Sequence, residues 1–171
     1  MTTSLVLTVI GPDKPGLVEL LSNTVADHQG NWSESSMSRL AGKFAGILTV
    51  TVPADQASAL IDALNALDDQ GLKVNAEVSQ EPATVNSHKE MTLELVGHDK
   101  AGIVRDISQA LAKRQINVER LSTELVSGSM SAEELFKAQA EILAPSNTDL
   151  DELQEALESI ASDLMVDITL K

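Results

Sequence analysis

The stretch LVLTVIGPDKPGLVELL, residues 5–21, decides how this chain folds. Leu5, Leu7 and Val9 alternate with their neighbours, the period of a half-buried strand. Leu17, Leu20, Leu21, Val25 and His28 then follow helical spacing. The period changes across GPDKPG, so that hexapeptide predicts a strand-to-helix turn. Residues 91–107 write the same thing again as MTLELVGHDKAGIVRDI.

The repetition is extensive. Residues 7–31 align with 93–117 at a constant offset of 86, placing Gly11, Asp13, Lys14, Gly16, Val18, Ser22 and Asn31 on Gly97, Asp99, Lys100, Gly102, Val104, Ser108 and Asn117. By the Pro53/Pro145 pair the offset is 92, which places about six extra residues near SGSMSAEE. Each copy reads as strand, helix, strand, strand, helix, strand. Gly30 is expected to stop the first helix and Asn31 to open the next strand. ILTVTV is the third strand. Leu60, Leu64 and Leu67 form the stripe of the second helix, matched by Leu153, Leu157 and Ile160. The polar segment EPATVNSHK reads as a linker. The expected organisation is a first unit over residues 1–80, a linker over 81–89 and a second unit over 90–171. The expected class is α+β: two ferredoxin-like βαββαβ units in tandem, each an antiparallel four-stranded sheet with two helices on one face. Sheet edges need covering, so the two units are expected to share an interface.

Composition narrows the function. Hydrophobic residues make up 43% and charged residues 22%, the balance of a globular protein. No segment approaches the roughly 20 apolar residues of a membrane span, and the N-terminus lacks the basic region of a secretion signal. Cysteine is absent, which removes disulfides, thiol nucleophiles and cysteine metal sites and fits a reducing cytoplasm. Net charge is −14, shared as −5 over residues 1–80 and −9 over residues 81–171. Such a field repels DNA and RNA. Aromatics are 2%, Trp32, Phe44 and Phe136 with no tyrosine, too few for the stacking platforms of an RNA-recognition sheet. A metal carrier of this topology needs two cysteines in the first loop. An acylphosphatase needs an arginine there to grip phosphate; the loops carry Lys14 and Lys100. His28, His88 and His98 are read on a helix, in the linker and in a turn, without a spaced ligand partner. The acids of TDLDELQEALESIASD read as a solvated helix face. No catalytic or metal-binding set emerges, and no cofactor is expected.

The repeated turn has a structural reading and a chemical one. Structurally, glycine lets the chain leave the strand, Asp13 or Asp99 caps the helix, and Pro15 sits in its first turn. Chemically, a helix start presents free N–H groups that suit a carboxylate. Gly16 and Gly102 leave the backbone approachable, and Asp13 or Asp99 can take an ammonium group. A carboxylate site beside an ammonium site describes an amino-acid site. Asn31 and Asn117 can supply both a donor and an acceptor.

The pattern of strand, G-x-D-K-x-G, apolar helix and Asn fifteen residues after the second glycine resembles an ACT domain. The resemblance implies a regulatory module in which an amino acid lies between two ACT units, touched by the first loop of one and the second strand of the other. The residues so implied are Asp13, Gly16, Leu17, Asn31, Asp99, Gly102, Ile103 and Asn117. Two such units without a catalytic domain, with MSAEELFKAQAEILAP entering a strand of the second, are similar to the glycine cleavage system transcriptional repressor family. That resemblance implies a non-enzymatic protein that binds a small amino acid, glycine or serine first, forms a possible homodimer and contacts a transcription activator rather than DNA. The competing reading is a ligand-free interaction module whose turns only cap helices. The charge and the missing aromatics generate one expectation directly. Anisotropy titrations with labelled duplex DNA and single-stranded RNA at physiological salt should show no binding by the chain alone in the micromolar range, and a micromolar dissociation constant would overturn the exclusion.

Overall fold

The computed structural model describes residues 1–79, 88–127 and 133–171. The chain divides into two compact units, Met1–Pro82 and Ala83–Lys171. The first contains β1 (Thr2–Pro12), α1 (Leu17–Asp27), β2 (Asn31–Leu40), β3 (Lys43–Pro53), α2 (Ala57–Ala66) and β4 (Lys73–Val78). The second contains β5 (His88–His98), α3 (Ile103–Lys113), β6 (Asn117–Ser127), β7 (Glu134–Pro145), α4 (Leu150–Leu164) and β8 (Val166–Leu170). The sheets run β2-β3-β1-β4 and β6-β7-β5-β8, antiparallel at every pairing. This is the expected ferredoxin-like α+β order, written twice. His88 and Lys89 lie in β5 rather than in a linker, because they pair with Pro145 and Ala144 of β7. The extra residues expected near SGSMSAEE fall largely on 128–132, outside the described residues.

Both periods read from the sequence end in the cores. Leu5, Leu7 and Val9 of β1 meet Leu17, Leu21 and Val25 of α1 and Leu60 and Leu64 of α2 in one buried cluster. Leu93 and Leu95 meet Ile103, Ile107 and Leu111 and then Leu153 and Leu157 in the other. Each sheet therefore buries one face beneath its two helices. Among the described residues no polar or charged side chain is buried, so neither core holds a candidate catalytic group.

The helix ends differ from expectation. At the end of α1 it is Gln29, not Gly30, that takes the left-handed conformation, with φ 61°. Gln115 repeats this after α3 with φ 57°. The N–H groups of Gly30 and Ile116 then close the turns on the carbonyls of Val25 and Leu111. Gly30 is there for space, since a Cβ would lie 2.8 Å from a Val25 methyl and 2.9 Å from its carbonyl oxygen.

Helix α4 is capped by Asp149, whose Oδ1 accepts from the N–H groups of Asp151 (3.1 Å) and Glu152 (3.2 Å). Glu152 in turn faces Arg114, which follows α3. Arg114 Nε donates to Glu152 Oε2 at 2.9 Å, its Nη2 donates to Oε1, and its Nη1 donates to the Ala110 carbonyl at 2.7 Å. An acid thus sits at a helix start and a base at a helix end, each where the backbone dipole favours it. The hydrogen bonds from Arg114 hold the Glu152 carboxyl below its ordinary value, and the same bonds raise Arg114. A carboxylate lowered on folding contributes stability that is complete above its unfolded pKa and is lost as pH falls through its folded one. Glu152→Gln should therefore lower the urea midpoint at neutral pH, with the gap to the parent closing as pH is lowered through the carboxylate range. A gap that stays constant across that range would show that the pair contributes nothing ionic.

Candidate functional site

The repeated turns join β1 to α1 and β5 to α3. In both, the last residue before the helix is a left-handed glycine: Gly16 at φ 93°, ψ −4° and Gly102 at φ 91°, ψ 3°. A residue with a Cβ is disfavoured there by about 1–2 kcal/mol. The glycine carbonyls accept the first helical bonds, from Leu20 N–H and Asp106 N–H, each at 2.9 Å. No side chain caps either helix. This corrects the expectation that Asp13 and Asp99 do so: a cap adopts an extended conformation close to the first amides, and here the glycine occupies that position. Pro15 likewise precedes the helix. Gly11 and Gly97 lie inside the strands and provide space. A Cβ on Gly11 would come 3.0 Å from the Gly71 carbonyl, and one on Gly97 would run into the Val166 side chain of β8.

The first-turn amides of α1 and α3 consequently face the turns uncapped. Leu17 and Ile103 are buried, so their side chains anchor the helices and any role at the turn falls to their N–H groups. Around this shared backbone the charges differ. In the first unit the Asp13 N–H donates to the Gly42 carbonyl at 3.0 Å. Its carboxylate lies 3.5 Å from Arg39 Nη1. Glu19 occupies the first turn, and an open depression beside it is lined by Lys14, Pro15, Gly16 and Asn23. In the second unit Asp99 forms no ion pair among the described residues. Arg105, aligned with Glu19, reaches back over the turn: a Cβ on Gly102 would sit 2.8 Å from its Nη2. Arg105 Nε also meets Asp106 Oδ1 at 3.2 Å. His98 Nδ1 lies 3.1 Å from Glu133 Oε2. Arg105 was not read as a site residue from the sequence. The signal that would have found it is the reversal of charge against Glu19 at the same place in the repeat.

Asn31 and Asn117 do not join the turns of their own units. Asn31 pairs with Thr51, and Thr51 pairs with Ser4, nine residues before Asp13 along the chain. At strand rise this is about 30 Å. Asn117 pairs with Leu143, which pairs with Glu90, and the separation from Asp99 is the same. The Asn117 amide donates to Glu119 Oε1 at 3.0 Å. Among the described residues no cluster of His, Asp and Glu can hold a metal ion, and no helix is long and apolar enough to cross a membrane.

Residues 3–77 match the family model of the ACT domain. The match spans most of the first unit, which is ACT-like. The second repeats its strand order and its turn, so the chain is a tandem of ACT-like units. Over its full length the chain is similar to the crystal structure of an unknown protein from Galdieria sulphuraria, with a TM-score of 0.84, 28% identity and 98% of that chain covered. It is also similar in fold, over its full length, to a structure named "putative glycine cleavage system transcriptional repressor", with a TM-score of 0.69, 21% identity and 97% of that chain covered. No protein of curated function matches significantly in sequence. For both turns the dihedral angles make a specific demand. Gly16→Ala should destabilise the fold by about 1–2 kcal/mol although nothing lies within 4 Å of the new Cβ. Gly16→Asn should cost less, since asparagine tolerates the left-handed region. Equal urea midpoints for parent and Gly16→Ala would show that the turn can relax.

Proposed function

We propose that this tandem ACT protein is a non-enzymatic regulator that binds a small amino acid, glycine or serine first, and modulates a transcription regulator by protein contact. The observation that carries the reading is the turn of the second unit. Asp99 offers an acceptor for an ammonium group. The uncapped amides of α3 and the Arg105 guanidinium offer donors for a carboxylate, and Gly102 leaves their backbone approachable. The first unit has the same backbone, but Asp13 faces Arg39 and Glu19 replaces the guanidinium, so the second turn is the stronger candidate. Asn117 and Asn31 enter a site only if they come from another ACT surface than the one whose turn they join, for which a second copy of the chain is one source. The protein partner is supported by the absence of a catalytic set, by the acidic charge that disfavours direct contact with nucleic acid, and by likeness of fold to a structure bearing a repressor's name.

Calorimetry on the full chain tests the reading. Glycine or serine should bind, and Asp99→Ala and Arg105→Ala should each weaken binding by about 1–3 kcal/mol, the scale of a charged hydrogen bond. Asp13→Ala should have a smaller effect. A ligand whose affinity ignores Asp99, Arg105 and Asp13 alike would reduce the turns to chain reversals. If no common amino acid raises the melting temperature of the parent protein, the ligand-free interaction module becomes the better account.

A further inference from the structure

The bases of residues 1–80 are Lys14, Arg39, Lys43 and Lys73, and all of them gather at one end of the first sheet. Lys14 lies in the turn after β1, Arg39 and Lys43 flank the β2–β3 hairpin, and Lys73 opens β4 opposite Ile10. Arg39 is taken up by Asp13. Lys43 and Lys73 are not: among the described residues neither forms an ion pair. Both stand on the face of the sheet turned away from the helices. Leu7 and Val9 are buried beneath the helices, so Thr8, Ile10 and Pro12 point the other way, and cross-strand partners share a face. On that outer face Ile10 has Lys73 opposite it on β4 and Ala45 opposite it on β3, with Lys43 and Ile47 two residues to either side of Ala45. Leu40 stands opposite Lys43. The three outer rows through Thr8, Ile10 and Pro12 hold no acid. Their apolar side chains remain open, with Ile10, Ile47 and Leu40 exposed by 46%, 51% and 79%. The same face of the second sheet is built the opposite way. Asp167 and Lys137 stand on either side of Val96, and Glu124 stands opposite Lys137. Lys171 meets Glu94 at 3.6 Å and Arg120 lies 3.9 Å from Glu141. Each of these bases has an acid beside it.

We propose that the outer face of the first sheet, around Ile10 and Ile47, docks a partner protein through an apolar segment flanked by carboxylates. Charge complementarity selects that occupant. A net charge of −14 repels an acidic partner over most of the surface. On this face the local sign is reversed, and the two lysines have no acid of their own to give up. Cross-strand neighbours lie about 5 Å apart directly and 7–8 Å diagonally, so one short segment can meet Lys43 and Lys73 while its apolar side chains cover Ile10 and Ile47. An apolar centre with charges at its rim is the anatomy of a protein interface. A second copy of this face would set lysine against lysine. A nucleic-acid strand would find no aromatic side chain on which to stack. The inference rests on the reading of a protein partner given above, but it uses no residue of either turn.

Anisotropy titrations on the full chain test it, with a short labelled peptide of alternating glutamate and leucine as the probe. Two control peptides carry lysine in place of glutamate or serine in place of leucine. The parent should bind the glutamate–leucine peptide at low salt, more weakly as salt screens the lysines, and should bind neither control. Lys43→Glu and Lys73→Glu should each weaken binding about fivefold or more. Ile47→Ser should weaken it about fivefold, the loss of roughly half a buried side chain's transfer energy. Lys137→Glu on the second sheet should leave it unchanged. All of these side chains are exposed, so the far-UV dichroism of the variants should match the parent. No binding by the parent, equal binding of a control peptide, or an affinity indifferent to both Lys43 and Lys73 would each overturn the proposal. A parent that self-associates, and comes apart on Lys43→Glu, would give the face to a second copy and overturn it as well. Calorimetry with glycine and serine keeps this inference apart from the reading of the turns: a parent that binds the peptide but neither amino acid supports the docking face and counts against the turns alone.

Discussion

The left-handed glycine between the first strand and the first helix is the constraint from which the rest of each unit follows. A strand buried on one face must hand over to a helix that lies on that same face, and the reversal has to fit within four residues, 13–16 or 99–102. A glycine at φ near +90° makes the reversal without a steric penalty. The same glycine has no side chain with which to cap the helix it starts. The uncapped first turn is therefore a by-product of the fold rather than an added feature, and the residue that permits the helix also leaves its amides open. Contrast α4, where the chain enters through the extended Asp149 and the first amides are satisfied by its carboxylate. Both starts occur in one protein, and the glycine kind leaves its first amides without a side-chain cap.

Much of the fold was legible because burial in it is simple. With no polar group in either core among the described residues, every inward position is apolar and every period is clean. Leu5, Leu7 and Val9 announce a strand and Leu17, Leu21 and Val25 a helix, and the second copy repeats both patterns. What the periods do not carry is the reason for each glycine. Gly11 and Gly16 look alike in GPDKPG, yet one sits in an ordinary strand beneath a close carbonyl and the other in a left-handed turn. Gln29 takes the left-handed turn expected of Gly30 for the same cause: a dihedral angle and a missing Cβ leave the same letter in a sequence. The Arg114–Glu152 pair, 38 residues apart, was out of reach because no local spacing encodes it. The separation of Asn31 from Asp13 was, by contrast, implied by topology. A strand that begins where a returning helix ends begins at the far end of the sheet.

The internal repeat divides backbone demands from surface choices. Where the copies agree despite solvent exposure, a conformation is being enforced: Gly16 with Gly102, and Gln29 with Gln115, hold positive φ angles in both. Where they disagree, the backbone is indifferent and the side chain is free to differ: Glu19 against Arg105, Ser35 against Leu121, Arg39 against Leu125. These differences all point one way. The first unit sets its turn's acid against Arg39, while the second carries an acid with no ion pair among the described residues, a guanidinium and two half-exposed leucines on its edge strand. The electrostatic cost of a net charge of −14 makes the local pattern more telling, because an arginine over a helix start and a patch of uncharged leucines are the two kinds of surface at which an acidic protein can most readily accept an anion or another acidic chain.

Those two surfaces share a physical support. The first turn of α3 holds Val104, which lines the cleft beside β6, and Arg105, which lies over Gly102. Adjacent residues of one helical turn cannot shift independently, since their backbone is tied by the bond from Asp106 N–H to the Gly102 carbonyl. Ile103 fixes that turn in the core beneath. In the second unit the turn and the edge thus border one and the same helical turn, whereas in the first the Arg39–Asp13 pair joins the turn to its own β2.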